Sequence, residues 1–353
     1  FLNYVSFDTQ SDSYSQTVPS TSKQLKLGNY LVEELKSLGI KNAKIDEFGV
    51  VYGTIPSNNN HQGDVIGFIA HMDTSPDASG KDIHPQIIKD YQGQKITLNE
   101  DKELYLDPEQ YPQLLQLIHH DLITTDGTTL LGADDKAGIA IIMQMVEYIY
   151  NHPEFKHNDI QIAFTPDEEI GTGISLFDID LFDADFAYTL DGDTENEIQY
   201  ENFNACSASI EFHGVSVHPG SSKDTMVNAS LVAMEFDSML PKGETPRDTE
   251  GYEGFYHLLS MEGECALAKL HYIIRDHDAE KFEQRKKVMK QITDDLNQKW
   301  GDGTVMLTLK DQYRNMSEII AQHMHLIDNA KKACEKVGLT PQCRPIRYRW
   351  MPA

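Results

Sequence analysis

Histidine and acidic residues stand at four places where short apolar runs end or a helical pattern begins. Val65 to Ala70 runs into His71-Met72-Asp73, and Ile160 to Thr165 runs into Pro166-Asp167-Glu168-Glu169-Ile170-Gly171. Phe186 to Leu190 runs into Asp191-Gly192-Asp193, and Gly132-Ala133-Asp134-Asp135-Lys136-Ala137-Gly138 opens a helical pattern. Imidazole and carboxylate side chains together make a donor set for zinc or a similar divalent ion. In an extended segment residues two apart point the same way. His71 can therefore bind a metal while Asp73 takes the other imidazole N–H and fixes the tautomer. Glu168 and Glu169 are adjacent and diverge, so one can bind metal while the other faces a substrate as proton carrier. Gly132 lets the backbone turn tightly just ahead of Asp134, whose two oxygens can bridge two ions. Ions in two-metal hydrolytic sites lie ~3.5–4 Å apart.

Each piece alone has a plainer explanation. An isolated H-x-D is an ordinary core or surface histidine, Asp134-Asp135 an N-cap pair, Glu168-Glu169 a solvated helix start, and Asp191 a turn residue. Four strand or helix ends with the same chemistry outweigh those readings taken together. The remaining histidines do not join the set. His119-His120-Asp121 matches no defensible motif, His323 and His325 are two apart on a helix and share no face, and His213 reads as packing beside a strand.

The elements that must position these residues are legible in outline. Val50 to Ile55, Val65 to Ala70, Ile160 to Thr165 and Phe186 to Leu190 read as strands buried on both faces. Helical patterns alternate with them, at Leu27, Leu31, Leu35 and Leu38 before Gly39, and from Ala137 to Tyr150. Strand alternating with helix predicts an α/β layer with a mixed, largely parallel sheet flanked by helices. Ligands in such sheets sit beyond the carboxyl ends of the strands. The pattern changes after about Asn204. Ser207 to Phe212, Ala266 to Ile274 and Val305 to Leu309 read as strands, and Asn228 to Met239 and Asp278 to Trp300 as helices. That order predicts an inserted ferredoxin-like α+β domain. Ser317 to Val337 reads as one further helix of the first type, with Ile320, Ile327, Cys334 and Val337 on its apolar side. The expected division is 1–204 and 313–353 for the first domain and 205–312 for the insertion. The loop Ser57 to Gly63 and the stretch Pro76 to Pro112 read as polar surface excursions.

A chain of 353 residues suits two domains. Its formal charge of −26 argues against nucleic acid or an anionic membrane surface as partner, since phosphate binding needs a basic face. It permits a metal ion or a substrate with a free ammonium group. No apolar stretch approaches the roughly 20 residues needed to span a bilayer. The first basic residue is Lys23, unlike a secretory leader. The 4 cysteines form no C-x-x-C pair and read as reduced thiols, which predicts a cytoplasmic protein.

Over nearly its whole length the sequence resembles the M20 family of co-catalytic metallopeptidases, and most closely its tripeptide aminopeptidases. The resemblance is carried by Tyr4-Val5-Ser6-Phe7-Asp8-Thr9, Ile69-Ala70-His71-Met72-Asp73-Thr74-Ser75-Pro76, the segment Gly132 to Gly138, Phe164-Thr165-Pro166-Asp167-Glu168-Glu169-Ile170-Gly171, and Gly214-Val215-Ser216-Val217-His218-Pro219-Gly220. It implies a zinc-dependent enzyme that removes the N-terminal residue of a tripeptide. His71 and Asp191 would hold one of two zinc ions, Asp134 would bridge both, and Glu169 would hold the second. Asp73 would orient His71, and Glu168 would be the general base. A cis peptide after the bridging aspartate is often found in the family. The inserted domain would close over substrate and support a homodimer, with His218 stabilising the oxyanion and Arg275 holding the substrate carboxylate through its bidentate fork. A relative that cleaves N-acyl amino acids or dipeptides would carry the same metal residues, and a catalytically dead copy would carry most of them.

The family pattern runs to Arg347 and then departs, at Tyr348-Arg349-Trp350-Met351-Pro352-Ala353. One choice of codons for Arg347 to Pro352 reads Gly-Thr-Asp-Gly-Cys in the neighbouring frame, and Gly-Thr-Asp-Gly is a family motif. The expectation is a truncated or frameshifted copy. Its second ion would lack a C-terminal histidine ligand, and its activity would be impaired.

Overall fold

Residues 1–59 and 63–347 are described by the computed structural model. They gather into two units, Phe1–Asp191 and the residues from Gly192 on. The first opens with α1 (Leu2–Val5), α2 (Gln24–Ser37), β1 (Lys44–Ile45), β2 (Val51–Ile55) and β3 (Ile66–His71). An excursion follows with β4 (Gln86–Ile88), β5 (Ile96–Asn99), β6 (Leu104–Leu106) and β7 (Leu122–Thr124). Then come α3 (Ala133–Asn151), β8 (Ile160–Thr165), α4 (Ile179–Phe182) and β9 (Phe186–Thr189).

The main sheet has the order β1-β2-β8-β3-β9. Pairing is parallel from β8 through β3 to β9 and antiparallel from β1 through β2 to β8. Leu27, Leu31 and Leu35 of α2 recur at helical spacing, as do Ile139, Ile142, Met143, Val146 and Ile149 of α3. Both stripes pack in one cluster with Val51, Ile55, Ile162 and Phe164 of the sheet. Gly39, at φ +115, ends α2. Its N–H bonds the Lys36 carbonyl and the Ile40 N–H reaches back to Leu35, the paired bonds of a Schellman cap. The excursion is more than the polar surface loop the composition suggests. Tyr91, Ile96 and Leu114 form a small buried cluster there, with β4 paired to β7 and β5 to β6. Its apolar residues come singly from several short strands, so no one segment shows a period.

The first turn of α3 is irregular. Asp134 and Asp135 have non-helical φ/ψ and the peptide between them is cis. The regular helix begins after Asp135, which caps it: its Oδ1 accepts the Gly138 N–H at 3.1 Å. A Cβ on Gly138 would lie 2.1 Å from the Leu190 carbonyl oxygen. Helix α3 therefore approaches the backbone just before Asp191 with room only for hydrogen. Gly138→Ala is expected to destabilise this unit by roughly 1–3 kcal/mol, the usual cost of forcing extra atoms into a packed contact. Urea denaturation checks this, and an unchanged midpoint refutes it.

The second unit contains β10 (Glu197–Ile198), β11 (Asn204–His213), α5 (Ala229–Met239), β12 (Phe255–Gly263), β13 (Leu267–Asp276), α6 (Ala279–Trp300), β14 (Val305–Tyr313), α7 (Ser317–Ile320), α8 (His325–Lys336) and β15 (Gln342–Cys343). Strands β12-β13-β11-β14 form an antiparallel sheet in the ferredoxin-like order. Val232 and Phe236 of α5 pack with Phe282, Met289, Ile292 and Leu296 of α6 and with Phe212 of β11. Asn228 and Asp278 cap the two helices by accepting the N–H groups of Leu231 and Lys281.

Strand β12 has no counterpart in the sequence reading. It lies at the edge of the sheet, and its second half is exposed and lacks a clean alternation. The single helix expected over Ser317 to Val337 is instead two. Between them the bonds tighten to i→i−3, from Gln322 to Ile319 and from His323 to Ile320. The apolar stripe cannot sustain one long helix, because Ile319 and Val337 are exposed and only Leu326 and Ile327 are buried. Described residues beyond 312 make pairings within this second unit: β15 runs parallel to β10, and Asn315 donates to the His277 carbonyl. The expected change of pattern at Tyr348–Ala353 lies outside the described residues, as do positions 60–62 of the polar loop. No helix among the described residues is long and apolar enough to cross a membrane.

Candidate active site

Because β3 runs parallel to both of its neighbours, the carboxyl ends of β8, β3 and β9 lie side by side. The start of α3 meets them there through the Gly138–Leu190 approach. His71 closes β3 and is 2% exposed. Its Nε2 lies 2.9 Å from Asp134 Oδ1, 3.8 Å from Glu168 Oε2 and 3.9 Å from Asp191 Oδ1. Donor atoms of His71, Asp134 and Glu169 all lie within 4.8 Å of one another, and so do those of His71, Asp135 and Asp191. The first unit thus holds two three-donor groups that share one imidazole. His71, Asp73, Asp134, Glu168, Glu169 and Asp191, scattered in sequence, come together in it.

Asp73 is fully buried behind His71. Its Oδ1 is 3.3 Å from His71 Nδ1, and its backbone carbonyl is 3.1 Å from the same nitrogen. The two carboxylate oxygens also accept the N–H groups of Glu168 at 2.9 Å and Glu169 at 3.1 Å. One carboxylate therefore orients the imidazole and clamps the adjacent turn, and the second task has no sequence signature.

The electrostatics are those of crowded acids. Burial alone would lower the pKa of His71, but hydrogen bonds to Asp134 and Asp73, and the charges of Asp73 and Asp191, hold it well above the ordinary value. Burial, reinforced by the Asp191 charge, pushes Asp135 up to about 8. Burial and the Asp134 charge raise Glu169 to about 7. Carboxylates driven to keep protons in this way are relieved when a divalent cation takes the protons' place. The donor set fits a metal on chemistry as well as on spacing.

Asp135 is the member of this cluster that sequence reasoning missed. It accepts the His71 N–H at 3.2 Å while capping Gly138. The cap explains the Asp-Asp doublet by itself, so the doublet did not mark a second donor. Among the described residues, the other histidines lie outside both groups. His119 pairs with Asp90 on the surface, and the rings of His323 and His325 meet edge to face with centres 6.0 Å apart.

Two further candidates belong to the second unit. His218 is exposed ahead of a short turn at Pro219–Ser221, and its Nδ1 accepts the Gly220 N–H at 3.1 Å. The neutral ring therefore carries its proton on Nε2. Arg275, on β13, is 3% exposed. Its Nη1 donates to the Ile274 carbonyl at 3.1 Å, and its guanidinium lies 5.4 Å from the centre of the Tyr313 ring. Burial lowers its pKa. The structure describes each within its own unit.

Residues 200–304 match the model of a peptidase dimerisation domain of M20 enzymes. The chain is 53% identical over 347 residues to peptidase T of Halothermothrix orenii, and 51% identical over 347 residues to peptidase T of Bacillus subtilis. Each match covers 98% of this chain and 85% of the relative. Among solved structures, aminopeptidase PepT from Bacillus cereus matches with a TM-score of 0.74 at 22% identity, covering 98% of this chain and 82% of that one. A tripeptidase from Staphylococcus aureus matches with a TM-score of 0.71 at 20% identity, over 98% of this chain and 82% of its own. A dinuclear metal-binding peptidase of the M20 family from Bacillus subtilis shares the fold at a TM-score of 0.58 and 10% identity, over 98% of this chain and 81% of its own.

Proposed function

The chain belongs to the peptidase T family of M20 metallopeptidases, and from that premise we propose how its own residues carry out the reaction. It is an aminopeptidase that releases the N-terminal residue of tripeptides. The observation that carries the assignment of roles is the pair of donor groups sharing His71, with Glu168 close by. His71 and Asp191 would hold one zinc ion and Glu169 the second, with Asp134 offering a carboxylate to both. Asp135 lies close enough to the first position to contribute there. Two divalent ions so held would polarise the scissile carbonyl and acidify the attacking water.

The protein groups supply the rest. Glu168, anchored through its backbone N–H to Asp73, takes the proton from the attacking water and returns it to the leaving amine. Asp73 keeps the His71 ring in one tautomer. His218, with its proton on Nε2, donates to the developing oxyanion. Arg275, a buried cation on β13, receives the substrate's terminal carboxylate. Catalysis is assigned to 1–204 and homodimer formation to 205–312. The assignment of 313–353 to the catalytic domain rests on the resemblance alone. Four free cysteines suit the cytoplasm.

Hydrolysis of a tripeptide with a free amine, compared with its N-acetylated form, tests the function. The free-amine substrate is expected to be cleaved and the acetylated one spared. Preference for the acetylated form would instead identify a hydrolase of N-acyl amino acids.

A further inference from the structure

We propose that Asp167 is a positioning residue for Glu168 and Glu169, and that it acts by locking the turn after β8 onto the chain segment leading into α2. Asp167 is fully buried and sits at φ +55, a left-handed conformation that Asp and Asn adopt more readily than other non-glycine residues. It is held there by a closed set of hydrogen bonds. Asp167 Oδ2 accepts the Ser20 N–H at 2.6 Å. Its Oδ1 accepts the Ser20 hydroxyl, and Gln24 Nε2 at 2.6 Å. The Asp167 N–H donates back to Gln24 Oε1 at 3.1 Å. One buried amide therefore holds both the carboxylate and the backbone of Asp167, and three donors offset part of the cost of burying it.

The next two N–H groups, of Glu168 and Glu169, go to Asp73. The turn is held by carboxylates on both sides, Asp167 gripping from behind and Asp73 from within the site. The same N-terminal stretch ties down the other ligand-bearing segments. Lys136 Nζ donates to the Phe7 carbonyl at 2.8 Å. The Thr74 N–H reaches the Thr9 carbonyl at 3.2 Å, and the Ser11 N–H reaches the Thr74 carbonyl at 3.1 Å. Residues 7–24 form a strap across the segments that present His71, Asp134 and Glu169. Misplacement by about 1 Å can cost an enzyme on the order of a hundredfold, so such a strap bears directly on rate.

This inference rests on the roles given above to Glu168 and Glu169. Asp167→Asn preserves size and tolerates the left-handed backbone, but sets an amide NH2 against Gln24 Nε2. Adding Gln24→Glu supplies an acceptor there, so the double variant restores the contact with donor and acceptor exchanged. The measurements are kcat and KM on a tripeptide, the visible absorption of the cobalt(II)-loaded protein, and amide hydrogen exchange of residues 168–173 without metal. Asp167→Asn is expected to lower kcat by about tenfold or more with KM within about twofold, shift the cobalt band and speed exchange, in keeping with loss of alignment. The double variant is expected to recover most of each. Wild-type kcat, cobalt band and exchange in Asp167→Asn would overturn the proposal, as would a double variant no better than the single one. Should Asp167→Asn fail to fold, Ser20→Ala removes a single donor and is expected to give the same pattern at reduced size; its absence there also counts against the strap. A wild-type protein that cleaves no tripeptide would defeat the functional reading, while the exchange comparison would still decide on Asp167.

Discussion

Replacing Glu168 by glutamine is expected to lower kcat on a tripeptide by about 10²–10⁴-fold, the usual contribution of a positioned general acid–base group. The substitution keeps size and shape, and the backbone N–H at this position goes to Asp73 whatever the side chain. Metal content and melting temperature should therefore stay close to those of the parent. Glu168 Oε2 lies 3.8 Å from His71 Nε2 and its side chain is partly exposed, so it is open to a substrate. Steady-state kinetics with metal analysis of both proteins checks this. A variant retaining kcat within about threefold would remove Glu168 from proton transfer.

The second large effect is expected at Asp134. Asp134→Ala deletes the carboxylate that lies 2.9 Å from His71 Nε2 and belongs to the group containing Glu169. Loss of a partner one step removed from a metal typically costs about 10–100-fold, so loss of a bridging donor should cost more than ~100-fold in activity. It should also lower the number of ions bound per chain. The deletion relaxes the site's acids in a definite direction. The Asp134 charge helps to raise Glu169, and a hydrogen bond to Asp134 helps to raise His71, so both should titrate lower in the variant. Metal titration by calorimetry reads the first effect, and NMR of the imidazole reads the second. Two ions bound with parental affinity would refute the bridging role.

Much of this site was legible in the sequence because its donors follow strands whose apolar runs are unmistakable. His71 ends Ile66–His71, Glu168 and Glu169 follow Ile160–Thr165, and Asp191 follows Phe186–Thr189. The rule that ligands gather beyond parallel strand ends then placed them together. The sequence could not reveal contacts made by backbone groups. The clamp of Asp73 on the two glutamate N–H groups depends on register between distant segments. Asp135 was hidden by its own adequacy as a helix cap. Outside the site, Phe255–Gly263 escaped because an edge strand with one exposed half carries little pattern, and the break after Ser317–Ile320 escaped because no proline or glycine marks it.

The central place of β3 has a consequence for biosynthesis. Both of its partners, β8 and β9, come later in the chain. A growing polypeptide leaving the ribosome must therefore carry this strand with two unsatisfied edges while the intervening residues are made. Parallel partners cannot be reached by a tight hairpin and must wait for a crossover. Asp191 is the last of these clustered donors to be synthesised, so the cluster cannot assemble before the sheet does. Cation uptake would then act as a late latch on a finished scaffold, with no part in nucleating it.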